Sequence, residues 1–127
     1  MSNAAVGKKT WLIPDAYWDS HSTGLYPSHE SVCVLNPSDD DAVIDMTFYF
    51  EDQEPLSGYQ SFCSARRTHH IRLDKLKSVD GRSVPQDVPY AIVLQSSIPV
   101  VVQYSRLVSA QPELGFMSTL AYPVLDG

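Results

Sequence analysis

Residues 42–50 read Ala42-Val43-Ile44-Asp45-Met46-Thr47-Phe48-Tyr49-Phe50. Ile44, Met46, Phe48 and Phe50 share one parity, and Asp45, Thr47 and Tyr49 share the other. Successive strand residues point to opposite faces, so this stretch predicts a half-buried antiparallel strand with one apolar face. Upstream, residues 30–36 carry a second apolar run, closed by Pro37-Ser38-Asp39-Asp40-Asp41, whose Asp and Ser side chains can bond the local backbone. The spacing predicts a hairpin of these two strands. Downstream, residues 51–55 make another polar turn before strands at 59–65 and 68–73, with Arg66-Arg67 at their junction. One helical turn is expected at 74–78, and Gly81, Pro85 and Pro89 stop any longer helix. Apolar strands follow at 90–95 and 100–107 around the turn Ser96-Ser97-Ile98-Pro99, and a last one at 116–122. With residues 10–13 the count is about eight short strands. That pattern predicts an all-β chain, a single antiparallel β-sandwich domain over residues 1–127, jelly-roll-like in its strand spacing.

Composition agrees with this class. A chain of 127 residues, 43% of them hydrophobic, can build one core and is too apolar to be disordered. Nine Pro and seven Tyr favour short strands and turns over helices. No apolar run approaches the roughly eighteen residues of a membrane helix. Lys8 and Lys9 are not followed by the apolar stretch of a secretion signal, so a cytoplasmic protein is expected. Cys33 and Cys63 form no C-x-x-C pair and read as small buried hydrophobes with free thiols, although two strand cysteines can in principle pair.

Fifteen acids against nine Lys plus Arg give a net charge of −6, which opposes binding to nucleic acid. The charge is also segregated. Residues 39–54 hold seven acids and no base, whereas residues 66–82 hold six bases and two acids. Two solvated faces would account for this. An acidic rim meeting a basic rim on the next copy is the alternative, a head-to-tail contact that closes into a ring where the rotation permits.

Few clusters invite a catalytic or metal reading. His69 and His70 are strand neighbours facing opposite ways, and His29-Glu30 lacks the second His of a zinc protease helix. Asp19-Ser20-His21 sits in a Ser/Thr/Gly-rich loop, and triads converge from separate segments. G-x-S-x-G and P-loop motifs are absent, so no enzyme, metal site or cofactor is expected. Arg66-Arg67 is a plausible anion or carboxylate site. Arg67 and His69 share parity with Ile71 and Leu73, which would put Arg67 on the core side, paired with Glu30 or facing a ligand. Gln103 and Arg106 lie on opposite parities of an apolar strand, so one of them needs a buried partner. Trp11, Tyr17 and Trp18 read as core or interface anchors, or as stacking surfaces for a sugar ring beside a polar pocket.

The ordered words Trp11 with Pro14-Asp15, Ser28-His29-Glu30-Ser31-Val32-Cys33-Val34-Leu35-Asn36, Ala65-Arg66-Arg67-Thr68 with His70 and Arg72, Pro99-Val100-Val101-Val102-Gln103, Arg106-Leu107 and Ala121-Tyr122 span nearly the whole chain. Together they resemble the sensory rhodopsin transducer family, small proteins named for a partner of a microbial sensory rhodopsin. The resemblance implies an eight-stranded β-sandwich, a cyclic homotetramer, and a non-enzymatic role in signalling or ligand sensing. It also implies a pocket of Trp11, His29, Glu30, Arg66, Arg67, His70, Gln103 and Arg106, for a small polar metabolite, sugar-like or anionic. The alternative is a signalling subunit that docks on a membrane sensory rhodopsin or a downstream protein without a small ligand. Contact with DNA through residues 66–82 is opposed by the net charge. The chain departs from the family pattern at Ala16, where relatives tend to have Gly, at His69, where Lys is usual, and at Val108, where an Asp would have partnered Arg106.

Overall fold

The computed structural model describes residues 3–125, so both ends of the domain expected over 1–127 lie outside the described residues. Its strands are β1 (Lys8–Ala16), β2 (His29–Asn36), β3 (Ala42–Tyr49), β4 (Leu56–Cys63), β5 (Arg67–Arg72), β6 (Tyr90–Val108), β7 (Gly115–Leu120) and β8 (Tyr122–Pro123). All pairings are antiparallel. No helix among the described residues is long and apolar enough to cross a membrane.

The alternation on β3 is realised: Ile44, Met46 and Phe48 are buried, while Asp45 and Tyr49 are exposed. Burying side chains of this size contributes about 1.5–3 kcal/mol each. They meet Trp11 and Ile13 of β1, Val32 and Val34 of β2, Ile71 of β5, and Ile92, Leu94, Val100 and Val102 of β6 in one core. That core lies between two sheets, the first ordered β4-β3-β6-β1-β8 and the second β5-β2-β6-β7.

β6 belongs to both sheets, which corrects the two strands and turn expected over 90–107. Its first half pairs with β1 and β3, and its second with β2 and β7. Ser96-Ser97-Ile98-Pro99 therefore marks a change of sheet and not a reversal. The register jumps from Thr10↔Gln95 to Lys8↔Val100, leaving extra residues on β6, and Pro99 has no N–H to contribute to a ladder. At Gly7, with φ +105°, an added Cβ would sit 2.0 Å from Val100 O, so only glycine permits β1 to approach the crossing point.

The expected hairpin of β2 with β3 does not form. β2 pairs with β5 and β6, while β3 pairs with β4 and β6, so residues 37–41 carry the chain from one sheet to the other. Buried Asn36 organises this passage: its Nδ2 donates to Asp40 O at 2.8 Å and Cys63 O at 3.0 Å, and its Oδ1 accepts from Ser38 Oγ at 2.7 Å. An alternating pattern specifies a strand's faces but leaves its neighbours open, and these side-chain bonds satisfy the backbone without a hairpin. Residues 73–75 form a hydrogen-bonded turn in place of a helical one, and the chain then bridges to β4 through Tyr59↔Ser78.

Candidate functional site

Glu30 points inward from β2 and is 1% exposed. Its carboxylate accepts from the Tyr90 and Tyr104 hydroxyls and, at 2.8 Å, from the Tyr17 amide. Burial first, and then the Glu30 charge, push both phenols far above their usual range, against a smaller opposing pull from Arg106. Arg106 lies at the rim of this cluster. Its guanidinium carbon is 5.8 Å from the centre of the Tyr104 ring, its Nη2 is 3.8 Å from Asp15 Oδ2, and its side chain is 18% exposed. Its buried Nε makes no hydrogen bond among the described residues. Val108, two residues along the same face, supplies no acceptor.

The outer face of the second sheet carries a different arrangement. On β2 the outward positions are His29, Ser31, Cys33 and Leu35; on β5 they include Thr68 and His70; on β6, Gln103 and Ser105; on β7, Phe116, Ser118 and Leu120. His29, Ser31, Cys33, His70, Gln103, Ser105, Arg106, Leu107 and Phe116 line an open cleft of about 310 Å³ there. Pro27 O accepts from His29 Nδ1 at 2.9 Å, and Gln103 Nε2 donates to Ser118 Oγ, so two polar groups are held in place. The cleft thus offers imidazole, amide and hydroxyl groups beside an exposed aromatic ring, a set suited to a polyhydroxylated molecule.

Four of the eight expected site residues, His29, His70, Gln103 and Arg106, meet at this cleft. The others do not reach it. Trp11 is buried, and its Nε1 donates to Val100 O at 3.0 Å and Lys8 O at 2.9 Å, closing the backbone where β6 changes sheets. Glu30 faces the opposite side of β2, and its partners are tyrosines, so the expected Arg67–Glu30 pairing is absent. Arg67 is exposed at the start of β5 and donates to Arg66 O at 3.0 Å. The parity with Ile71 holds for half-buried His69, but Arg67 is the first residue of the strand, at the margin of the sheet, where water solvates the charge. Arg66 adopts φ 55° in the preceding turn and lies 3.8 Å from Asp39, so the acidic and basic segments already touch within one chain.

Sequence reasoning missed Ser31, Ser105 and Phe116 in the cleft, and Tyr90 and Tyr104 around Glu30. The alternation on β6 places Tyr104 beside Val102 and Arg106, but the meeting with Glu30 needs the β2–β6 register, Glu30↔Arg106. Of the two thiols, Cys63 is buried, with its Sγ donating to Arg67 O at 3.3 Å, whereas Cys33 is half-buried at the cleft. Burial raises the pKa of both. Asp19, His21 and Asp87 bring their ligand atoms within 4.8 Å of one another, and Asp87 Oδ1 accepts from Ser20 N at 2.9 Å. These contacts join the loop after β1 to the loop before β6.

Comparison with known proteins places this geometry in context. The family model described as Anabaena sensory rhodopsin transducer matches residues 6–123. The crystal structure of Thermotoga maritima 1070 is similar at 36% identity, with a TM-score of 0.83, covering 93% of this chain and 96% of that one. The Anabaena sensory rhodopsin transducer is similar at 38% identity, with a TM-score of 0.71, covering 80% of this chain and 97% of that one. Among curated proteins, none matches the chain.

Proposed function

The chain belongs to the Anabaena sensory rhodopsin transducer family, and from that premise we propose that it is a non-enzymatic sensing subunit that binds a small polar metabolite in the outer-face cleft. The observation that carries this reading is the convergence of His29, His70, Gln103 and Arg106 with Ser31, Ser105 and Phe116 in one open cleft. Such a site orients hydroxyls through paired donors and acceptors, while Phe116 provides a flat apolar surface for a ring. Arg66 and Arg67 take no part in it.

A thermal-shift screen of sugars and small organic anions tests the reading. A ligand at a hundred times its Kd stabilises the native state by about 2.7 kcal/mol. Stabilisation is expected for the wild type and for Arg67→Ala, and is lost in Gln103→Ala and His70→Ala. A shift indifferent to Gln103 and His70, or no shift from a broad screen, overturns it.

The second reading is a subunit that docks on a membrane photoreceptor or a downstream protein. Exposed Leu35, Phe116 and Leu120 on the same face favour it, because apolar groups clustered on a sheet face mark interaction surfaces. Either role is compatible with a homotetramer whose acidic and basic segments meet between copies. Such a contact would weaken as salt rises.

A further inference from the structure

The register of the second sheet sets its outward side chains in rows across the strands. His29, Leu107 and Phe116 form the first row. Arg72, Ser31, Ser105 and Ser118 form the next, and after it come His70, Cys33, Gln103 and Leu120. Thr68, Leu35 and Val101 form the last, beyond the end of β7. Successive rows lie two residues apart along the strands, about 7 Å. Hydroxyl, imidazole and amide groups therefore gather in the second and third rows, and the last offers two aliphatic side chains and a threonine methyl.

The relief of the face follows this change. Besides the cleft of about 310 Å³ there is a second hollow of about 200 Å³, where Leu35, Val101 and Leu120 join Cys33, His70 and Gln103. Those last three line the cleft as well. The two hollows are thus one trough with a shared floor, polar in one part and apolar in the other. Leu35 is 48% exposed and Leu120 61%, so the apolar part is left to water. Charge narrows what the trough can take. Neither hollow has an acid in its lining. Arg72 clamps Asp74 through Nε and Nη2, both at 2.8 Å, and Arg106 turns inward to the Tyr104 ring and Asp15. With both cations engaged elsewhere, the serine hydroxyls, the Gln103 amide and the imidazoles remain, and these pair with neutral hydroxyl groups.

We infer that the ligand of this face is amphipathic: a neutral, sugar-like head in the cleft carrying a short aliphatic or aromatic substituent that lies over Leu35, Val101 and Leu120. This ligand presupposes the cleft reading and adds a tail to it. A free sugar would leave both leucines in water, whereas an apolar substituent that covers them adds affinity in proportion to the area removed from water. The shared floor makes the occupant one molecule, because whatever rests on His70 and Gln103 borders both hollows. A single row spacing, about 7 Å, limits the substituent to a short chain or one ring.

Calorimetric binding of methyl, butyl and hexyl glycosides of glucose, galactose and mannose, below their micellar concentrations, tests it. A fully buried methylene is worth about fourfold in affinity and a half-covered one about twofold. For the preferred sugar, the butyl glycoside should then bind roughly tenfold more tightly than the methyl glycoside, with little further gain for hexyl. Leu35→Ser and Leu120→Ser should each cut that gain, and the double variant should bind methyl and butyl glycosides alike. Both side chains face outward, so the variants are expected to fold, and the ratio of two affinities within one variant is insensitive to a loss common to both. Equal affinity of the butyl and methyl glycosides for the wild type, or a gain that survives the double variant, overturns the tail and leaves the cleft reading standing. Absence of binding by every glycoside overturns both.

Discussion

Replacing Glu30 with Ala removes the acceptor of three donors at once. The Tyr90 and Tyr104 hydroxyls lie in the core and the Tyr17 amide at its margin, and all three donate to the same carboxylate. A buried donor left without a partner costs about 1–3 kcal/mol. Relief from desolvating the carboxylate offsets part of this, and the net expectation is a loss of about 3–5 kcal/mol, from three stranded donors at about 1–3 kcal/mol each. Urea unfolding followed by the fluorescence of Trp11 and Trp18 measures it. With a slope near 2 kcal/mol per M, the midpoint should fall by roughly 2 M. Adding Tyr90→Phe and Tyr104→Phe to Glu30→Ala should cost far less than those changes cost alone, because the stranded hydroxyls are gone. A loss below about 1 kcal/mol for Glu30→Ala, or full additivity in the triple variant, would refute the claim that this carboxylate holds the two tyrosines.

The raised pKa values of Tyr90 and Tyr104 predict alkaline instability: above pH 10 the unfolded chain releases both protons while the native chain keeps them, so stability is complete below pH 10 and falls by roughly 2.7 kcal/mol per pH unit above it. In a titration followed near 295 nm, these two should ionise only as the protein unfolds, and early ionisation with the fold intact would contradict their burial. Arg67→Ala should change stability by less than about 0.5 kcal/mol, since the side chain is exposed and bonds only its neighbour's carbonyl; a larger loss in urea unfolding would mean that it has a buried partner. A thiol-reactive dye should label Cys33 slowly and Cys63 only after unfolding, and rapid labelling of Cys63 in the native protein would overturn its placement.

Much of the fold was legible in the chain because periodicity is local. The parity of residues 42–50 predicts which side of β3 is buried, and β2, β5 and β7 lie within a few residues of the expected strands. The resemblance carried by words from Trp11 to Tyr122 likewise identifies the family. Of the site, legibility was partial. His29, His70 and Gln103 reach the cleft because they face outward on adjacent strands of one sheet, and Arg106 closes its end. Trp11 and Glu30 carry the same family resemblance, but their side chains satisfy interior bonds.

What the sequence determined by itself is the place of most strands, the inward or outward direction of most side chains within them, and the segregation of charge. The tertiary structure alone decided which strands are neighbours. The turn residues at 37–41 and 96–99 announce a break in regular pairing, and both a reversal and a crossing satisfy that requirement locally. The choice falls to contacts between residues far apart in sequence: Asn36 with Cys63, Trp11 with Val100, Glu30 with Tyr90 and Tyr104. Buried polar groups must find partners wherever the assembled sheets place them. That demand makes β6 one strand shared by two sheets, draws Glu30 into the core, and leaves Arg67 in water, where its charge needs no partner.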